Sequence, residues 1–160
     1  MPGPLHGIRI LDLSAIVSGP LATMWLGDQG ADIIKIEPPF IGDLGRYVGP
    51  SVERIGALYA SCNRNKRSLV IDFQKPGGID LVKRLAADVD VVVENFRPGV
   101  VDRLGIGYKA LQEINPGLVY ASITGFGQDG PYAEQRVYAP IIQAVSALAA
   151  SQASAATANE

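Results

Sequence analysis

Short apolar runs separated by polar, glycine-rich or proline-rich turns set the pattern of this chain. Residues 8–13 read as a buried strand, Ile-Arg-Ile-Leu-Asp-Leu. Ser18-Gly19-Pro20 then opens a helix over residues 21–30, because proline suits a first turn whose N–H has no partner. Gly30 supplies its stop. Residues 33–37 form a second strand, and 38–50 a long loop with three glycines and three prolines. Loops of that length within a domain are usually functional or mobile. A short helix is expected at 57–62, a polar cluster at 63–68 and a strand at 69–72. Pro76 starts a helix through residue 87, with Ile79, Leu81, Val82 and Leu85 near one face. A strand follows at 89–93, short helices at 98–104 and 109–114, and a strand at 118–124. Residues 125–131 are a glycine-rich loop, and the chain from Tyr138 onward is apolar and helical in pattern.

Strand and helix alternate, which implies parallel βαβ units. Continuous apolar strands imply a sheet covered on both faces. The expected fold is therefore α/β: an open, mostly parallel, Rossmann-like sheet with helices on both faces. Residues 1–148 form its α/β domain, and 149–160 are an Ala- and Ser-rich tail with no apolar anchor after Leu148, expected to fray or to mark a truncation.

Composition narrows the function. The 160 residues are 48% hydrophobic and 19% charged, as in a globular core. A net charge of −2 gives no reason to expect nucleic acid or an anionic membrane as partner. The single cysteine, Cys62, excludes an internal disulfide and reads as a small buried hydrophobe. With His6 as the only histidine, no His-based metal site is expected; His6 itself reads as exposed and Trp25 as core. No apolar stretch is long enough to span a bilayer and no signal-peptide pattern opens the chain, so the expected compartment is the cytoplasm.

Candidate chemistry centres on Asn95-Phe96-Arg97-Pro98-Gly99 and Asp102-Arg103-Leu104-Gly105. The strand before them delivers Asn95 and Phe96 to its carboxyl end, where open α/β sheets bind ligands. An amide, a flat apolar ring and a permanent cation suit a phosphorylated adenine nucleotide. The same residues also fit an ordinary strand-to-helix turn with a solvated arginine. Ser18-Gly19-Pro20 offers a phosphate cradle at a helix N-terminus, and Glu37 stands near the usual place of a ribose-binding acid. The Gly-x-Gly-x-x-Gly fingerprint of nicotinamide binding is absent; only Gly19 stands in its place. Arg64, Lys66 and Arg67 read as a solvated cluster ahead of a strand.

Taken in order, these segments resemble the N-terminal part of the family III CoA-transferases, the group of formyl-CoA transferase, carnitine CoA-transferase and 2-methylacyl-CoA racemases. The stretches that carry the resemblance are Gly7-Ile8-Arg9-Ile10-Leu11-Asp12-Leu13, Ser18-Gly19-Pro20, Gly30-Ala31-Asp32-Ile33-Ile34-Lys35-Ile36-Glu37-Pro38, Gly42-Asp43 and Asn63-Arg64-Asn65-Lys66-Arg67-Ser68. Glu94-Asn95-Phe96-Arg97-Pro98-Gly99, Arg103-Leu104-Gly105, Asn115-Pro116 and Ser122-Ile123-Thr124-Gly125-Phe126-Gly127 continue it.

The resemblance implies that coenzyme A, as acyl-CoA substrate and not as a prosthetic group, lies across these loops. Val17 and Ser18 match the turn along the thiol end; several members carry glutamine where Val17 stands. Ile71 and Gln74 match the adenine-packing positions. Asn95 and Phe96 match the motif flanking the nucleotide, and Arg103 and Leu104 the pair beside its phosphates and adenine. Arg136 stands where relatives often carry a basic residue near CoA, and Tyr138 beside the active site of transferase-type members.

The implied reaction is acyl-CoA:carboxylate CoA transfer with no metal. An aspartate carboxylate attacks the thioester, a mixed anhydride forms and CoA thiolate leaves. The thiolate returns to give an enzyme thioester, and an acceptor carboxylic acid takes over the CoA. By the resemblance that aspartate falls past residue 160, so none of the residues here is assigned the catalytic role. Racemases carry a His-Asp pair where this chain has Tyr138-Ala139, which favours transferase over racemase; a non-catalytic CoA- or nucleotide-binding fragment is the other alternative. The family's full-length members are interlocked homodimers, of whose protomer this chain supplies the N-terminal part.

Overall fold

The computed structural model describes residues 3–53 and 55–157. It divides into two compact units, Met1–Ile123 and Thr124–Glu160. In the first unit the elements are β1 (Arg9–Asp12), α1 (Ser18–Asp28), β2 (Asp32–Glu37), a 3-10 turn at Leu44–Tyr47, a short hairpin of β3 (Ser51–Val52) and β4 (Ile55–Gly56), α2 (Ala57–Cys62), β5 (Lys66–Val70), α3 (Pro76–Ala86), β6 (Val91–Glu94), α4 (Val100–Arg103), α5 (Tyr108–Ile114) and β7 (Val119–Ser122).

Five strands form one parallel sheet in the order β5-β2-β1-β6-β7. The chain winds outward from β1 to β5, then returns through α3 to place β6 on the other side of β1. The β1–β6 junction is therefore the topological switch point, and the crevice at its carboxyl end is where such sheets take ligands. The expected α/β, Rossmann-like architecture is what the chain adopts.

Apolar strands alternate their side chains between two covered faces. Leu11 and Val92, paired in register, lie on the face covered by α3, α4 and α5, with Val82, Ala86, Val101, Ile106 and Leu111. Ile10, Ile33 and Val93 lie on the opposite face with Leu26 of α1. The period of two in each strand thus supplies two cores from one sheet.

Two expectations are corrected. Trp25 is 58% exposed, because α1 turns Gly19, Pro20, Thr23 and Met24 inward instead. The strand expected at 69–72 begins at Lys66, and Lys66 is not solvated: its side chain is 2% exposed and paired with Asp12. Arg64 and Arg67 do face solvent, paired with Asp28 and Asp32. Cys62 is buried and His6 exposed, as expected.

The second unit holds the loop at 125–131, with Phe126 against Tyr132 at 5.6 Å between ring centres, then α6 (Ala139–Val145) and α7 (Leu148–Thr157). The Ala-rich stretch expected to fray is helical through Thr157, as the high helix propensity of alanine allows. Residues 158–160 of that tail lie outside the described residues.

Candidate active site

A groove of about 490 Å³ opens at the carboxyl end of the sheet. Leu13, Ser14 and Ala15 after β1, Pro38 to Leu44 after β2, Ile71 to Gln74 after β5, and Phe96 after β6 line it. Four strand ends meet here because all four strands run parallel. Its apolar wall includes Ile71, Phe73 and Phe96, whose two rings lie 6.3 Å apart and tilted.

Of the residues singled out from sequence, Ile71, Gln74 and Phe96 line this groove. Ile71 is buried and Gln74 exposed. Val17 and Ser18 stand at the exposed start of α1. Asn95 joins them: its Oδ1 accepts from the Ala15 amide at 2.9 Å, and its Nδ2 donates to the Ala15 carbonyl at 2.9 Å and to Ser18 Oγ at 3.2 Å. Arg103 ends α4, one turn from Gly99, which sits at a left-handed φ of 78°. A side chain at Gly99 would press on the Arg103 guanidinium, which is exposed and has no ion pair among the described residues. Leu104 packs on the core below. Arg136 and Tyr138 belong to the second unit; both are exposed, and Tyr138 precedes α6 as its cap residue.

Beneath the groove lies a polar network that pattern reading did not find. Lys35 is 1% exposed; its ammonium pairs with Asp43 Oδ2 at 2.8 Å and donates to the Ser14 carbonyl at 2.8 Å. Asp12, wholly buried, accepts from the Ser14 amide and hydroxyl, from Thr23 Oγ1 and from Lys66. Burial pushes the Asp12 carboxyl up, but Lys35, Lys66 and the two hydroxyls more than offset it and hold it below the usual carboxylate range. Burial also pushes the Lys66 ammonium down, against the pull of Asp12.

Glu37 is the second hub. It accepts two bonds from Arg46, at 2.7 Å each, and one each from Tyr59, Ser68 and the Asp43 amide. Burial works against its charge, yet these five donors pull the Glu37 carboxyl from 4.5 down to about 2. This ties the long loop after β2 to α2 and β5. Because the folded value is depressed, the stabilisation is present above pH 4.5 and is lost as pH falls toward 2. Urea unfolding across that window is expected to show stability falling with acidity, and Glu37→Gln to flatten the slope. An unchanged slope in the variant would contradict this assignment.

Glu94, at the end of β6, differs: burial raises its carboxyl, although Ser122 Oγ and the Phe96 amide donate to it. Among the described residues no group of His, Cys, Asp and Glu could hold a metal ion.

The sequence profile of CoA-transferase family III matches residues 5–159. The chain belongs to that family. Among curated relatives, human succinyl-CoA:glutarate CoA-transferase is 46% identical over 146 residues, covering 91% of this chain and 33% of its own length. Acetyl-CoA:oxalate CoA-transferase of Acetobacter aceti is 44% identical, with 91% and 38% covered. Among solved structures, a CAIB/BAIF family protein from Brucella suis superposes with a TM-score of 0.86 at 45% identity, over 91% of this chain and 39% of that one. The chain thus spans a third to two fifths of the length of these relatives.

Several groove residues carried no signal of their own in the sequence. Phe40 and Phe73 read there as loop residues, and both line the groove. Lys35 read as one residue of a buried strand; its position in an otherwise apolar run, Ile33-Ile34-Lys35-Ile36, is the signal that could have marked it.

Proposed function

We propose that these residues form the CoA-binding side of an acyl-CoA:carboxylate CoA-transferase. The observation that carries this reading is the groove at the carboxyl ends of β5, β2 and β1, reaching β6 at Phe96, in a chain of family III. The relatives are named for an acyl-CoA donor and a carboxylic acid acceptor, and that is the substrate class proposed. Ile71, Gln74 and Phe96 would take the adenine, whose flat apolar faces suit this wall. Arg103, with Leu104 beside it, would meet a phosphate, and Val17 and Ser18 would lie along the thiol end, with Asn95 behind them. Arg136 and Tyr138 are assigned to the same substrate on the family resemblance alone.

In this account the thioester carbonyl is attacked by an aspartate that the family resemblance places past residue 160. The C–S bond breaks, CoA leaves as thiolate and returns to the anhydride. The groove keeps the thiolate close through its nucleotide, so its return is effectively intramolecular. The thioester is already activated, so no metal is assigned. A homodimer in the cytoplasm is proposed. Among the described residues no helix is long and apolar enough to cross a membrane, and nucleic acid is not assigned as a partner. Exposed Phe40, Tyr47, Val52 and Ile55 after β2 support burial of that segment by further protein.

The test incubates the native-length protein with a panel of acyl-CoA thioesters and carboxylic acids. The expected result is conversion of an acid to its CoA thioester with total thioester conserved, and no turnover by residues 1–160 alone. Proton exchange at C2 of a 2-methylacyl-CoA without transfer would favour the racemase, disfavoured here by Tyr138-Ala139. CoA binding with neither reaction would favour a binding module.

A further inference from the structure

The segment Ser14–Ile16 has no regular backbone pairing along its length, yet five of its backbone groups are taken by side chains from elsewhere. The Ser14 amide meets Asp12 at 3.0 Å and the Ser14 carbonyl meets Lys35 at 2.8 Å. Asn95 takes both the amide and the carbonyl of Ala15. The Ile16 amide donates to Asp43 Oδ1 at 2.9 Å, which also accepts from Gly45 at 2.8 Å. Ile16 sits at a φ of 70°, a left-handed conformation that a β-branched residue adopts only when its surroundings enforce it. The next two residues are Val17 and Ser18, and α1 begins there with no side-chain cap.

From this we infer that Asn95 and Asp43 are positioning residues. They clamp the strained turn and so set where Val17 and Ser18 stand against bound acyl-CoA. The inference rests on the CoA-transferase reading for what the turn faces, but not for the clamp itself. Both amide hydrogens of Asn95 are spent, one on Ala15 and one on Ser18, so it has no donor left for a nucleotide. It acts through the turn. Asp43 acts likewise, and its charge is held by the buried Lys35, which itself holds Ser14. Removing one arm of the clamp releases strain at Ile16 and lets the thiol-end residues drift, while the adenine wall at Ile71 and Phe96 stays in place.

The experiment uses the native-length protein and two variants, Asn95→Asp and Asp43→Asn. Asn95→Asp keeps the acceptor for the Ala15 amide and loses both donors. Asp43→Asn keeps the acceptor for Ile16 and loses the charge opposite Lys35. Three quantities are read: kcat for CoA transfer, Kd for CoA by calorimetry, and hydrogen exchange of the peptide spanning residues 13–19. The expected result is a kcat lowered about tenfold to a hundredfold, as a displacement near 1 Å produces. Kd for CoA stays within about threefold, and exchange at 13–19 rises in both variants. Unchanged exchange at 13–19 would overturn the clamp. So would a Kd weakened more than about tenfold with kcat intact, since that marks Asn95 as a ligand contact. If the wild type transfers no CoA at all, the functional reading fails, and the exchange data alone still decide the clamp.

Discussion

Asp12→Ala is expected to cost about 3–5 kcal/mol of folding stability, the range for removing one partner of a buried ion pair. Asp12 is wholly buried and accepts from four donors on three segments. Without it, Lys66 keeps only the Pro20 carbonyl and Asn63 Oδ1, and its charge has no counter-ion. Lys35 loses its attraction to Asp12 and keeps only its ion pair with Asp43. A loss of this size is a large share of a typical stability of about 5–15 kcal/mol. Urea unfolding of wild type, Asp12→Ala and the double variant Asp12→Ala/Lys66→Met measures it. The double variant should recover part of the loss, since it removes the stranded charge together with its partner. A single-variant loss below about 1 kcal/mol would show that the pair is solvated and unimportant.

The second large effect concerns binding. Arg103→Ala should weaken CoA binding by about 1.5–3 kcal/mol, the worth of a hydrogen bond to a charged group. The guanidinium is exposed, has no ion pair among the described residues and follows the Asn95-Phe96 turn by less than two helical turns. It is therefore available to a phosphate at no cost in existing contacts. His6→Ala, exposed in the segment before β1, should leave the affinity unchanged. Calorimetric titration of CoA into wild type and both variants decides it; equal affinity in wild type and Arg103→Ala would remove Arg103 from the site.

The sheet was legible in the sequence because its strands are short apolar runs bounded by turn residues. Val91–Glu94 and Asp32–Glu37 emerge within two residues of their expected ends. β5 was legible only at its carboxyl end, where a strand was expected from Leu69, since Lys66-Arg67-Ser68 looks like loop chemistry; Lys66 finds its counter-ion 54 residues away. The pairing within the buried network is not local, and only the fold brings Lys35 to Asp43 or Arg46 to Glu37. The same holds for Trp25: the pattern marks an apolar position on α1 but not which side the helix buries. Asn95 stands out in the sequence from its place after an apolar strand, whereas its attachment to Ala15, 80 residues earlier, was not legible. Short-range pattern locates strand ends; the pairing of side chains across them depends on strand order.

The central claim is that the groove at the carboxyl ends of β5, β2 and β1, bounded by Phe96, holds coenzyme A. A crystal structure of the native-length protein with CoA tests it most directly. The account predicts the adenine against Ile71, Phe73 and Phe96, a phosphate within hydrogen-bond distance of Arg103, and the thiol arm running toward Val17 and Ser18. CoA bound away from this groove, or the groove filled by another segment of the protein while CoA is bound, would contradict it.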